Sequence, residues 1–323
     1  MKLDLLTVGD ATIDTFLFIH DAQIMCTLKK DACQLCVNYA DKLPVEKIVR
    51  TVAGNAANNS VGAARLGLKT ALVTQLGDDN SGQWIYKKLR EEKVGTACVV
   101  IDKKLETNSS TVLSFKGERT IFVYHAPRVY ALPKKIPRAR FIYYTSVGPK
   151  HSNLSADVVR YVRSTGALLA FNPGTHQIRA GLSTLKPVLG VCEILFVNKE
   201  EALRIVGEKK SMVEYLSALH ALGPKTVVIT NGSDGAHAFD DGAFYQIGVP
   251  KIKVLERTGA GDSFASAFIA ARVYGKSVPE SLCWGTMNAT SVIMHVGPQE
   301  GLLSHAGIES FHKKIKHVCA QKI

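Results

Sequence analysis

The sequence predicts an α/β fold, with a mostly parallel sheet between helical layers and a small β-layer to one side. Three observations predict it. Short apolar runs at 3–8, 70–75, 167–172, 194–198 and 226–230 each end near Gly, Asn or Asp, as strands buried on both faces do. Helical periodicity fills 55–66, 82–92, 155–164, 199–206 and 211–222. Strand and helix therefore alternate, which calls for parallel strands joined by crossover helices.

Taken in order, Leu3-Asp4-Leu5-Leu6-Thr7-Val8 opens the sheet. The stretch 16–52 then breaks the alternation: it is polar, strand-like and without helical period. So is 107–129, within which 110–123 reads as a hairpin around Lys116-Gly117-Glu118. These two stretches predict a lid-like β-layer that can close over a ligand and exclude water. Further on, a glycine-rich turn at 259–262 leads into an apolar helix of small residues. No repeat, low-complexity segment or linker interrupts the 323 residues, so a single domain over 1–323 is expected.

Composition is that of a globular protein, 46% hydrophobic and 21% charged. No run of 18 apolar residues suggests a membrane span. The chain enters its first strand without an apolar leader region, so a cytoplasmic protein is expected. The net charge of +12 reads as a solvated basic surface or as attraction for anionic small molecules. Nucleic-acid binding is disfavoured, because Lys and Arg are spread along the chain with no basic block interleaved with aromatics. Of seven cysteines, Cys98, Cys192, Cys283 and Cys319 sit singly in apolar surroundings and read as reduced core residues. Cys26, Cys33 and Cys36, with His20 upstream, could hold structural Zn²⁺; their irregular spacing favours reduced, packed cysteines instead.

The strongest chemical signal is Arg257-Thr258-Gly259-Ala260-Gly261-Asp262-Ser263-Phe264. Glycines let the backbone bend and leave room for a phosphate. Successive N–H groups at the helix start point at that phosphate, and the helix dipole adds to the attraction. Such a site stabilises charge developing on a transferring phosphoryl group. Asp262, on the same turn, can accept the proton of an attacking hydroxyl. The competing reading is an ordinary glycine turn with an Asp N-cap. The turn is not a Walker A loop, since no Gly-Lys-Ser/Thr follows at the required spacing.

Four segments in order resemble the ribokinase-like, or PfkB-type, carbohydrate kinase family, and they span nearly the whole chain. They are Gly9-Asp10-Ala11-Thr12-Ile13-Asp14; Gly54-Asn55-Ala56-Ala57-Asn58 with Ala63-Ala64-Arg65-Leu66-Gly67 and Gly77-Asp78-Asp79; Asn198-Lys199-Glu200-Glu201 ahead of Thr230-Asn231-Gly232-Ser233-Asp234-Gly235; and the 259–262 turn. The resemblance implies a ribokinase-like three-layer α/β/α fold with a lid, ATP and Mg²⁺ as cofactors, and a homodimer formed through the lid. It implies Asp262 as catalytic base, with Gly259, Ala260 and Gly261 forming the anion hole. It casts Asp14, Gly54, Asn55 and Asn58 as substrate-binding. Asn198 and Glu201 become organisers of Mg²⁺ and the phosphates, Thr230, Gly232 and Gly235 the loop along the nucleotide, and Asn288 part of the adenine pocket.

Each role has a structural rival. Asp14 and Asn58 suit turn capping, Asn198 and Glu201 a helix N-terminus, and Asn288 a buried polar tie. Two departures stand out. The family reads Asp-Thr where this chain has Glu256-Arg257, in a region that shapes a monovalent-cation site, so K⁺ activation is not carried over. Arg257 could supply the positive charge internally. The family's double glycine is Ala53-Gly54.

The acceptor is less determined. Arg119, on the hairpin, either binds a substrate phosphate or carboxylate or is a solvated strand arginine. Tyr124, His125 and Arg128 could line the pocket mouth. Three functions stand: a kinase of a sugar or sugar derivative, a nucleoside kinase, and a non-catalytic ligand-binding protein on the same scaffold.

Overall fold

A computed structural model describes residues 2–27, 33–116, 118–315 and 318–323. The chain opens with β1 (Leu3–Val8), β2 (Thr12–Phe18), β3 (Gln23–Cys26), β4 (Cys33–Cys36) and β5 (Lys47–Ala53). Then follow α1 (Asn55–Arg65), β6 (Thr70–Gly77), α2 (Asn80–Glu91), β7 (Val99–Asp102), β8 (Ser109–Phe115), β9 (Glu118–Tyr124) and β10 (Ala139–Tyr144). The middle holds α3 (Ser152–Thr165), β11 (Leu168–Phe171), α4 (Thr175–Arg179), α5 (Leu182–Leu189), β12 (Cys192–Asn198), α6 (Lys199–Val206) and α7 (Met212–His220). The chain closes with β13 (Thr226–Thr230), β14 (Ala236–Asp240), β15 (Ala243–Ile247), α8 (Ala260–Val273), α9 (Val278–Val292), α10 (His305–Lys314) and β16 (Gln321–Lys322).

The main sheet has ten strands in the order β16-β15-β14-β13-β12-β11-β10-β1-β6-β7. From β13 to β7 every pairing is parallel. The three strands beyond β13 run antiparallel and blunt that edge. Successive side chains of a strand point to opposite faces, so β1 feeds two cores. Leu6 and Val8 pack with α3, α5, α6 and α7. Leu5 packs with α8 and α9 on the other face. A three-layer α/β/α domain results, as expected.

The lid is a second sheet ordered β5-β2-β8-β9. It begins earlier than the expected 16–52, because β2 starts at Thr12 and carries Asp14 into the lid sheet. The expected hairpin is present as β8–β9, paired from Ser109–Tyr124 to Phe115–Glu118; Gly117 itself lies outside the described residues. Between β2 and β5, β3 and β4 form a two-stranded ribbon.

That ribbon corrects the cysteine expectation. Cys26 and Cys33 face each other across it and are joined as a disulfide, leaving Cys36 as a free thiol. Two sulfurs bonded to each other are not thiolates and cannot share a zinc ion. His20, the expected fourth donor, pairs with Glu46 at 2.9 Å. Among the described residues no cluster of His, Cys, Asp and Glu suits a metal ion. Cys98 and Cys192 are buried as expected, but Cys319 is exposed. No helix among the described residues is long and apolar enough to cross a membrane.

Candidate active site

The site lies at the carboxyl ends of the parallel strands, where open α/β sheets place their ligand crevices. Two helix N-termini converge there. Gly259, in the left-handed region at φ 79°, precedes α8; a Cβ on it would meet Pro298 at 2.4 Å. Gly54, at φ 94°, precedes α1, and a Cβ there would meet the Asp10 carbonyl at 2.6 Å. Both positions require glycine.

Small residues let the helices approach. A Cβ on Gly62 would meet Ser266 Oγ at 2.5 Å, so α1 lies directly on α8. Positions 55, 58 and 62 share one face of α1, which turns both asparagines toward α8. The Asn55 Nδ2 group donates to Asp262 Oδ1 at 2.9 Å, and that of Asn58 to Oδ2 at 2.8 Å. Asp262 therefore does not cap its own helix, the rival reading of the turn. It is buried, with both oxygens held by a neighbouring helix. Burial pushes its carboxyl up to about 7 against those two hydrogen bonds, and the charges of Asp14 and Glu201 push the same way. Such a group sits where a general base is most effective.

The open side of the turn is at Gly261. A Cβ on it would meet nothing within 4 Å. The first N–H groups of a helix have no acceptor within it, so this exposed edge is a ready anion cradle.

Asp14, on β2 of the lid sheet, is buried and accepts from Thr12 Oγ1 at 2.9 Å. Its carboxyl is raised, chiefly by burial and in part by the charge of Glu256. Asn198 and Thr230 are neighbours at the strand ends. Asn198 and Glu201 close a reciprocal cap on α6: Glu201 Oε2 accepts from Asn198 N–H at 2.9 Å, and Asn198 Oδ1 from Glu201 N–H at 2.8 Å. Loss of surrounding water pushes the partly exposed Glu201 carboxyl up to about 7. One partly exposed carboxylate at the strand ends is what Mg²⁺ arriving with phosphates and its own waters asks of a protein, so Glu201 fits it without an all-protein cluster. Gly232 and Gly235, both at positive φ, shape the turn between β13 and β14.

Other expected residues are placed differently. Asn288 is wholly buried, donating to Ser263 O at 2.8 Å and accepting from Leu303 N–H at 2.9 Å. It ties α9 to α8 and the C-terminal segment, the buried polar tie that was the rival reading. Arg119 turns to Glu256, with Nη1 3.4 Å from Oε1. Arg128 is buried and donates to the carbonyls of Gln75 and Glu106, so it does not line the mouth. His125 pairs with Asp10 at 3.2 Å. Arg257 is exposed.

Gln299 is the residue that sequence reasoning missed. Its Nε2 donates to Asn58 Oδ1 at 3.1 Å, which leaves the Asn58 amino group to Asp262. The sequence offered only Gly297-Pro298-Gln299, a turn signal 37 residues beyond the aspartate.

Comparison with known proteins matches residues 17–305 to the model described as the pfkB family carbohydrate kinase. A 5-dehydro-2-deoxygluconokinase of Shouchella clausii is 30% identical over 271 residues, 78% of this chain and 83% of that protein. A nucleoside kinase of Methanothermobacter thermautotrophicus is 27% identical, covering 77% of this chain and 80% of that one. Among solved structures, a putative ribokinase II from E. coli in complex with ATP and Mg²⁺ superposes with a TM-score of 0.80. It is 18% identical, over 97% of this chain and 99% of that one.

Proposed function

Because the chain belongs to the pfkB family of carbohydrate kinases, we propose that it transfers the γ-phosphoryl group of ATP to a hydroxyl of a sugar or sugar derivative, with Asp262 as base. The observation that carries this reading is the buried Asp262 carboxylate, held by Asn55 and Asn58 next to the open cradle at Gly261. An acceptor hydroxyl presented there gives its proton to Asp262. The oxygen then attacks the γ-phosphorus as the bond to the β,γ-bridging oxygen breaks and ADP leaves, and the N–H groups at the start of α8 receive the charge on the transferring group. Mg²⁺, bound with the nucleotide and held near Glu201, would neutralise phosphate charge. Asp14, with its carboxyl on the lid side, orients the acceptor. Asn198, Thr230, Gly232 and Gly235 form the nucleotide edge.

The lid favours a sugar over a nucleoside. Arg119 faces the turn, so period-2 alternation puts Ile121 and Val123 beside it and Phe122 and Tyr124 on the opposite face. No β9 aromatic is then placed to stack on a base. Phe16 shares Asp14's side of β2 but is fully buried, and Phe18, half-buried at the end of that side, is covered by the Lys47 ammonium 5.7 Å from its ring centre. The carboxylate-bearing acceptor named for the Shouchella clausii relative makes a sugar acid the first candidate. The outward Phe122 and Tyr124, 59% and 44% exposed on an unpaired edge strand, suit a lid-to-lid homodimer. Elution as a monomer at micromolar concentration would count against that assembly.

The test is ADP release with Mg-ATP against sugars, sugar acids, sugar phosphates and nucleosides. A rate increase with a sugar or its acid supports the proposal. An increase with nucleosides alone would move the assignment to a nucleoside kinase.

A further inference from the structure

One contact joins the lid directly to the loop that carries the candidate base. Glu256 lies six residues before Asp262 and is only 8% exposed. Its carboxylate is a node. Oε2 accepts from the Thr258 N–H at 2.8 Å, and Oε1 accepts from Thr258 Oγ1 at 2.6 Å. These two bonds fix the backbone immediately ahead of Gly259, where the chain bends into α8. Oε1 also meets Arg119 Nη1 at 3.4 Å, from β9 at the far edge of the lid sheet.

The charges explain why this contact matters. Glu256 is buried in an acidic neighbourhood, and its charge already contributes to raising Asp14. A buried carboxylate without a counter-charge is costly, and removing its cation leaves that cost in place. Arg119, reaching across from the lid, supplies that cation. Without that contact the buried Glu256 carboxylate would have no cation from the lid, beside the turn that must receive a polyanionic nucleotide. The node that shapes the Thr258–Gly259 bend is then at its least stable.

We infer that Arg119 and Glu256 form a latch that couples closure of the lid to the ordering of the turn bearing Asp262. Both are positioning residues: Arg119 acts through Glu256, and Glu256 through Thr258. The inference rests on the kinase reading for its effect on turnover, though not for its effect on the structure.

The test uses Arg119→Gln, Glu256→Gln, the double variant and the swap Arg119→Glu/Glu256→Arg. Arg119 is one-third exposed, so its replacement should leave the fold intact. Hydrogen exchange over 256–262 and over 109–124 is read first, without substrate. The latch requires faster exchange in both segments for Arg119→Gln, although 137 residues separate the partners. Unchanged exchange at 256–262 would overturn it, whatever the enzyme turns over. Kinetics are read second. Each single variant should lower kcat about tenfold with little change in either KM, the double should be no worse than the poorer single, and the swap should recover part of the loss. Additive losses, or a rise in acceptor KM confined to Arg119→Gln, would show that Arg119 binds the acceptor directly and would overturn the latch. A wild-type protein that phosphorylates nothing would sink the kinase reading and leave the exchange result to decide the coupling by itself.

Discussion

Replacing Asp262 by Asn tests the site through stability as well as turnover. The aspartate is 6% exposed, and its carboxyl is pushed from the ordinary 3.8 to about 7. The folded protein therefore holds a proton on Asp262 between those values while the unfolded chain has lost it. Over that window stability falls as pH rises, and the full cost is present above pH 7. Each pH unit is worth about 1.4 kcal/mol, and two units of the window lie between pH 5 and pH 7. Asn does not titrate. It also keeps one acceptor oxygen and sets its amide N–H₂ against the donor of either Asn55 or Asn58, at a cost of about 1–3 kcal/mol that is nearly independent of pH. The stability of Asp262→Asn relative to the wild type should thus improve by about 3 kcal/mol from pH 5 to pH 8. Denaturant unfolding of both proteins at the two pH values measures this difference, in which the constant clash cancels. Turnover at pH 8 should fall by about 10²-fold or more. A relative stability flat between pH 5 and pH 8 would refute the buried, raised carboxyl. Unchanged turnover would refute the base.

Three further expectations concern the same cluster. Gly261→Ala adds a methyl where nothing lies within 4 Å. It should leave stability unchanged or raise it by about 0.5 kcal/mol, as Ala replacing Gly in a helix does. It should nevertheless lower kcat at least about tenfold if phosphate occupies that space, so equal activity would argue against the cradle. Gln299→Leu removes the donor that fixes the Asn58 amide and should cost about tenfold in kcat with the KM for ATP unchanged; a KM effect alone would mean that Gln299 acts elsewhere. Gly62→Ala places a methyl 2.5 Å from Ser266 Oγ. Overpacking should destabilise the fold by about 1–3 kcal/mol, read by denaturant midpoint, and move Asn55 and Asn58 off Asp262.

The sheet was legible where its strands are buried on both faces, because continuous apolar runs leave little choice of structure. The strands that escaped lack that signature. β10 carries Arg140 in its interior, β7 is four residues long with an exposed middle, and β14 to β16 are short antiparallel pieces at an edge. The lid was legible as a break in alternation. Its limits were not, because Thr12-Ile13-Asp14 reads equally well as the turn after β1 and as the start of β2. The disulfide was not legible at all. A pair of cysteines seven residues apart becomes a bridge only when a hairpin sets them opposite each other, and that register is a tertiary fact.

The same distinction separates the parts of the site. Gly259, Gly54 and Asp262 carry local requirements, a left-handed backbone and a helix N-terminus, and local requirements leave marks in sequence. Asn55 and Asn58 were legible as members of the site, but as ligands of a sugar. Their side chains point along α1's contact with α8, and the partner they hold in this structure is the carboxylate of Asp262. That assignment depends on Gly62 permitting the two helices to touch, a fact about packing over 204 residues of chain. Gln299 and Glu256 lie further along the same gradient. One orients an amide that orients the aspartate, and the other shapes the bend ahead of it while meeting an arginine on the lid. Neither residue type announces such a role. Glu256 drew attention only as a departure from a family pattern. A departure that keeps a carboxylate, buries it, and supplies a cation from the lid is better explained as a rewired contact than as a lost one. This is why Arg119 and Glu256 have to be altered together before the acceptor specificity of the lid can be assigned.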